Sequence, residues 1–186
     1  MNHELPRTHT AIAYWLTPAN PAHTFFENMI CDLARQYDAP VFEPHVTIHV
    51  GSNHAEAAEK ATSQAPFICE PVELTLLDVR HSGEFTKTLF VQLALNKELR
   101  RLNKIIRSDV QNSSDYRLEP HLSLLYKKMP ILERRRLALS IQLPFSEVIF
   151  DSIKAVRCAL PTRNRADVEA WRSIATRDEI VAQVTI

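Results

Sequence analysis

From Thr10 to Thr17 the chain reads TAIAYWLT, an apolar run of strand composition that Pro18 stops. Asn20-Pro21 then reads as a helix cap followed by proline at the first helical position, and Phe26, Met29, Ile30, Leu33 and Tyr37 recur behind it at helical spacing. After Ala39-Pro40 the pattern becomes alternating. Val46, Ile48 and Val50 are separated by polar residues, as a half-buried strand requires, and Gly51 ends the strand. Asn53 with Glu56 makes a capping box for a short helix up to about Ser63, and Val72, Leu74 and Leu76 mark a third strand.

The second half runs through the same order. Leu89 to Leu95 (LFVQLAL) is a strand, Leu99, Leu102, Ile106 and Val110 form a helical stripe, and Asn112 to Asp115 is a polar turn into another alternating strand. A helix around Leu132 to Ser140 and a strand-like stretch from Phe145 to Cys158 complete the copy. The remainder holds an Arg-rich loop, Pro161 to Arg165, a helical turn ending at Trp171 and a closing strand. Each half therefore reads strand, helix, strand, helix, strand, with no linker between them. The alternating strands carry related text: EPHVTIHV at 43–50 returns as EPHLSLLY at 119–126, 76 positions later. The fold expected is α+β, a bilobal pseudo-two-fold duplication with two antiparallel sheets facing a central cleft and helices outside, all in one domain over residues 1–186.

The 186 residues contain 22 Lys+Arg and 22 Asp+Glu, so no global charge favours nucleic acid or a membrane surface. Lys127-Lys128 and Arg134-Arg135-Arg136 are local basic clusters, the second read as the solvated face of a helix. Two glycines leave no material for a phosphate-cradling Gly-rich loop. Cys31, Cys69 and Cys158 have neither disulfide-framework nor metal-ligand spacing, which fits a reducing compartment. No signal-like segment opens the chain and no apolar run has membrane-spanning length, so a cytoplasmic protein is expected.

Side chains two apart on a strand share a face. His45 and Thr47 thus point together, as do His121 and Ser123, while Val46, Ile48, Leu122 and Leu124 point into the core. One His-x-Thr on a strand is an ordinary semi-buried histidine. Two such pairs at equivalent repeat positions are not, because a core has no need of the same polar pair twice. Two imidazoles can supply a general base and a general acid near neutral pH, and two hydroxyls can donate to phosphoryl oxygens. That set suits hydrolysis of a strained cyclic phosphodiester. By alternation His49 shares the face of His45, but no third ligand stands at a recognisable spacing, so no metal site is expected. His3, His9, His23, His54 and His81 default to the surface.

The paired His-x-Thr and His-x-Ser tetrapeptides resemble the signature of the two-histidine phosphoesterase superfamily, and of the small eukaryotic-type cyclic phosphodiesterases in particular. PHVTI and PHLSLLY carry the likeness, AYWLTP resembles that family's first strand and EAWRSIA its closing segment. The resemblance implies a bilobal α+β fold and metal-independent opening of ADP-ribose 1″,2″-cyclic phosphate and nucleoside 2′,3′-cyclic phosphates; a monomer without cofactor is expected. The resemblance also implies His45 and His121 as catalytic residues, with Thr47, Ser123, Tyr126 and Trp15 binding substrate. Strict alternation would turn Tyr126 away from His121, so that role requires a bulge or the strand's end. The disulfides of plant members find no matching cysteines. Alternatives are action on RNA ends, as a 2′,3′-cyclic phosphodiesterase or a 2′–5′ ligase or nuclease, and a non-enzymatic module that binds cyclic phosphates.

Overall fold

The structure, a computed structural model, describes residues 9–52, 54–64, 71–109 and 115–177. Asn53 of the expected capping box, Val110, Cys69, His3 and the turn residues Asn112 to Ser114 lie outside these. The apolar run near the start forms β1 (His9–Pro18), paired on both edges and buried from Ala11 onward because Ile12, Tyr14 and Leu16 enter the main core while Ala13 and Trp15 pack with Val156 and Cys158 on the other face. Helix α1 (Ala22–Tyr37) follows, burying Phe26, Ile30 and Leu33. Its start corrects the expected cap. Pro21 itself occupies the N-cap position without a side-chain bond, and Asn20 accepts from the Thr24 hydroxyl at 2.8 Å rather than from the backbone.

The chain continues through β2 (Val46–Gly51), α2 (Ala55–Gln64), β3 (Val72–His81), a 3-10 turn at Phe85–Lys87 and β4 (Leu89–Leu93). Then come α3 (Lys97–Asp109), β5 (His121–Leu125), α4 (Ile131–Ser140), β6 (Glu147–Leu160), α5 (Arg165–Glu169) and β7 (Arg172–Arg177). The stripe Leu99, Leu102 and Ile106 of α3 is fully buried, and Asn96 caps that helix by accepting from the Leu99 amide at 2.8 Å.

The α+β class and antiparallel pairing are as expected, and the two expected sheets are joined at two seams. The order is β1-β2-β5-β4-β3-β6-β7, with β1 also paired to β6. One seam is β6, long enough at 14 residues to pair with β3 through its first part and with β1 through the rest. The other is the single pair Val46↔Leu122, which sets the two histidine-bearing strands side by side. Apart from β7, which pairs with β6, exchanging β1 with β4, β2 with β5 and β3 with β6 leaves this pairing scheme unchanged. Helices follow the same exchange, since α1 packs on β5 and α3 on β2.

Candidate active site

Alternation holds along each motif strand up to the hydroxyl residue and then breaks. Against β1, Thr47 pairs with Trp15 and His49 with the adjacent Tyr14, so Ile48 is an extra residue. Against β4, Ser123 pairs with Phe90 and Leu125 with the adjacent Leu89, so Leu124 is extra. The two bulges sit at equivalent places in the repeated text. On β2 the backbone exposed by the bulge is satisfied from outside: Asn103 donates to the Ile48 carbonyl at 2.6 Å and the Tyr116 hydroxyl to the Thr47 carbonyl at 2.8 Å.

Each bulge moves the later residues to the other face. Val50 and Tyr126, at equivalent positions, therefore line a cleft of about 260 Å3 together with His45, Thr47, His121 and Ser123. This meets the condition that Tyr126 required. His49 goes the opposite way and is fully buried in the core between Tyr14 and Tyr116, with ring centroids 6.1 Å from each. The shared face expected for His45 and His49 is thus corrected by one extra residue. Neither ring nitrogen of His49 has a hydrogen-bond partner among the described residues. Burial, aided by Arg107, lowers its pKa to about 4.

His49 is therefore neutral when folded, whereas the unfolded chain protonates it near the ordinary 6.5. Stability from this group is fully present above pH 6.5 and lost as pH falls towards 4. A His49→Leu variant should keep the wild-type kcat and lose less of its melting temperature between pH 7 and pH 5. A large loss of activity at unchanged stability would instead make His49 part of the site.

The recurring Glu-Pro-His has a geometric reason. Proline holds the preceding glutamate extended, and each glutamate carbonyl meets Nδ1 of the histidine two residues on: Glu43 with His45 and Glu119 with His121, both at 2.7 Å. A carbonyl only accepts, so Nδ1 carries the proton in both rings and Nε2 is left for a ligand. The glutamate side chains are anchored too, Glu43 by Lys154 and Glu119 by Lys87. Trp15 covers His45, the rings stacked at 3.7 Å and 12°, and Trp171 closes edge-on against both. Burial lowers the His45 pKa to about 4 against the opposing pull of the Glu43 carbonyl, with His121 lowering it further. The His121 pKa is also lowered, first by burial.

Ser123 donates to the Thr86 carbonyl at 2.8 Å and lines the cleft beside Tyr126, whose ring stacks on Phe42 at 3.9 Å. The structure thus gathers all six residues singled out from sequence at one cleft. It adds Thr86, Lys87, Tyr116 and Trp171, which periodicity could not reveal: Thr86 and Lys87 lie in a three-residue turn, and Tyr116 and Trp171 lie outside regular structure. The repeated glutamate was the one available signal for Lys87. Cys158 also lines the cleft as a free thiol whose pKa burial raises to about 11, so it is a protonated wall residue at neutral pH. Among the described residues no three His, Cys, Asp or Glu side chains are grouped to hold a metal, and no helix is long and apolar enough to cross a membrane.

A family model described as cyclic phosphodiesterase-like protein matches residues 10–178, nearly the whole chain and both motif strands. The chain belongs to that family. A cyclic phosphodiesterase of Arabidopsis thaliana is 22% identical over 165 residues, which cover 87% of this chain and 91% of the relative. Among solved structures, E. coli LigT complexed with 3′-AMP aligns with a TM-score of 0.55 at 13% identity, covering 91% of this chain and 98% of LigT. A protein described only as a phosphoesterase aligns at 0.56 with 14% identity, covering 92% and 99%. These neighbours share the α+β fold. The cyclic phosphodiesterase-like chain is accordingly an enzyme, a phosphodiesterase.

Proposed function

We propose that this phosphodiesterase hydrolyses small cyclic phosphodiesters, nucleoside 2′,3′-cyclic phosphates and ADP-ribose 1″,2″-cyclic phosphate, to phosphomonoesters without a metal. The observation that carries the reading is the pair of imidazoles, each fixed through Nδ1 to a Glu-Pro carbonyl, each leaving Nε2 for the same cleft. In the proposed step His121 takes a proton from water as the water oxygen attacks phosphorus. The bond from phosphorus to one ribose oxygen breaks, and His45 delivers its proton to that oxygen. Thr47 and Ser123 donate to the non-bridging oxygens. The family resemblance assigns this order. Burial holds the His45 pKa at about 4 in the free protein, so the bound phosphoryl anion, together with the Trp15 face over the ring, must raise it before His45 can serve as the acid. Trp15 and Tyr126 would wall the sugar side of the cleft.

The chain is read as one two-lobed unit, because the pairing among strands β1 through β6 maps onto itself between the two halves. The LigT structure was obtained with 3′-AMP, a ribonucleoside monophosphate like those that opening a 2′,3′-cyclic phosphate releases. The deciding assay is a panel of 2′,3′-cyclic nucleotides, ADP-ribose cyclic phosphate and RNA ending in a cyclic phosphate, with products identified. Monophosphate release from the small molecules supports the reading. Turnover of RNA ends alone transfers the site to RNA processing, and saturable binding without release makes it a binding module. Because imidazoles and hydroxyls take over a metal's tasks as base and charge stabiliser, activity should survive exhaustive chelation. Loss with EDTA that zinc or manganese restores would overturn the metal-free step.

A further inference from the structure

The charges around the cleft are unevenly placed. Among the described residues that line it, Lys87 is the one ammonium or guanidinium group, and no carboxylate lines it. Lys87 comes from the 3-10 turn between β3 and β4, which is tied down on two sides. The Ser123 hydroxyl donates to the carbonyl of Thr86 at 2.8 Å, and both the amide and the hydroxyl of Ser82 donate to that of Lys87, at 3.1 and 2.9 Å. The lysine is thereby placed beside His121 and Ser123 before any ligand arrives. Its partner in the free protein is the Glu119 carboxylate at 3.3 Å, and the two side chains differ in environment: Lys87 is 24% exposed, Glu119 67%. The cation faces inward and its counter-ion faces water.

An ion pair with so exposed a carboxylate contributes little, so separating it is cheap. The equivalent pair on the other motif strand, Lys154 with Glu43, does not line the cleft. Among the described residues only the β5 side therefore offers the cleft a positive charge. A phosphoryl oxygen next to Ser123 would meet an ammonium already positioned and weakly held.

We propose that Lys87 reads the charge of the substrate's phosphoryl group, leaving Glu119 for an anionic oxygen as the cyclic ester binds. This deepens the proposed function and rests on it for the identity of the ester, though the lysine's preference for phosphate can be measured without turnover. The groups facing His121 are Lys87 and Glu84 from the β3–β4 connection, Glu119 from its own strand approach and His45 from the entry to β2. Lys87 pushes the His121 pKa down, and Glu119 and Glu84 push it up. The pair therefore leaves opposite marks on one titration.

The experiment compares Lys87→Met, Lys87→Arg and Glu119→Gln in the full chain. It uses inorganic phosphate binding by calorimetry, KM and kcat with a 2′,3′-cyclic nucleotide, and NMR titration of His121 in the free protein. Lys87→Met should weaken phosphate binding and raise KM roughly 10- to 100-fold, the loss expected for a charged hydrogen bond, with a smaller change in kcat. Lys87→Arg should recover most of that. The His121 titration should move up in Lys87→Met and down in Glu119→Gln, and Glu119→Gln should bind phosphate at least as tightly as wild type. Unchanged phosphate affinity in Lys87→Met, titrations moving in the same direction, or no phosphate binding by wild type would each overturn the proposal. Weakened phosphate binding in Lys87→Met with no turnover of any cyclic nucleotide by wild type would retain Lys87's role and reject the proposed substrates.

Discussion

Replacing His45 or His121 by asparagine is expected to lower kcat/KM roughly 10²–10⁴-fold, the range for loss of a general acid or base. Asparagine is the informative choice, because its amide can still donate to the carbonyl of Glu43 or Glu119 while Nε2 is gone. What remains then tests the chemistry and not the local hydrogen bond. The double replacement should cost far less than the product of the singles, since an acid and a base that share one transition state are not additive. Melting temperatures belong beside the rates, because His45 is almost fully buried and stacked on Trp15. A folded single variant with under about tenfold loss would break the paired mechanism.

The same pair sets the pH dependence. Burial lowers both pKa values in the free protein, that of His45 to about 4. A base must be neutral and an acid protonated, so kcat/KM should be bell-shaped, its limbs belonging to the coupled pair. Both lie below the ordinary 6.5, so the maximum should fall on the acid side of neutrality. Raising pH from there removes the acid's proton, and lowering it protonates the base. A bound phosphoryl anion favours both imidazoliums, so the kcat profile should lie at higher pH than that of kcat/KM. A kcat/KM maximum well above neutrality would contradict the burial of these rings as its cause.

The strands, the long helices and the equivalence of the two motifs were legible because periodicity reports burial directly. Where alternation ended was not. The bulges fall at Ile48 and Leu124, two ordinary apolar residues with no glycine or proline to mark them. The one at Ile48 is held by partners remote in the chain, Asn103 and Tyr116. The consequence of the two bulges is large: His49 goes into the core, and Val50 and Tyr126 come into the cleft. The seam at Val46↔Leu122 was equally invisible, since one backbone pair leaves no pattern in side chains. Lys87 lay in a segment without periodicity, and its links to the motif, the ion pair to the repeated glutamate and the Ser123 bond to the neighbouring Thr86 carbonyl, span residues distant in the chain.

The two hydroxyls should prove unequal. Thr47→Val and Ser123→Ala each remove a donor to a phosphoryl oxygen, a loss of about 1–3 kcal/mol or roughly 10–150-fold in kcat/KM. Thr47 presents its hydroxyl from a strand whose backbone Asn103 and Tyr116 already hold, so its loss should appear mainly in kcat. Ser123 has one proton, and in the free protein it goes to the Thr86 carbonyl. To serve a phosphoryl oxygen the hydroxyl must rotate, releasing that carbonyl while staying next to Tyr126. Ser123→Ala therefore removes the bond to phosphate and also one tie on the turn that carries Lys87. Its effect should be the larger of the two and should raise KM as well as lower kcat. Combining Ser123→Ala with Lys87→Met should cost less than the product of the singles, because both act through that turn. Full activity in both hydroxyl variants would reduce Thr47 and Ser123 to parts of the strand pattern. A Ser123→Ala effect confined to kcat would separate the serine from the lysine.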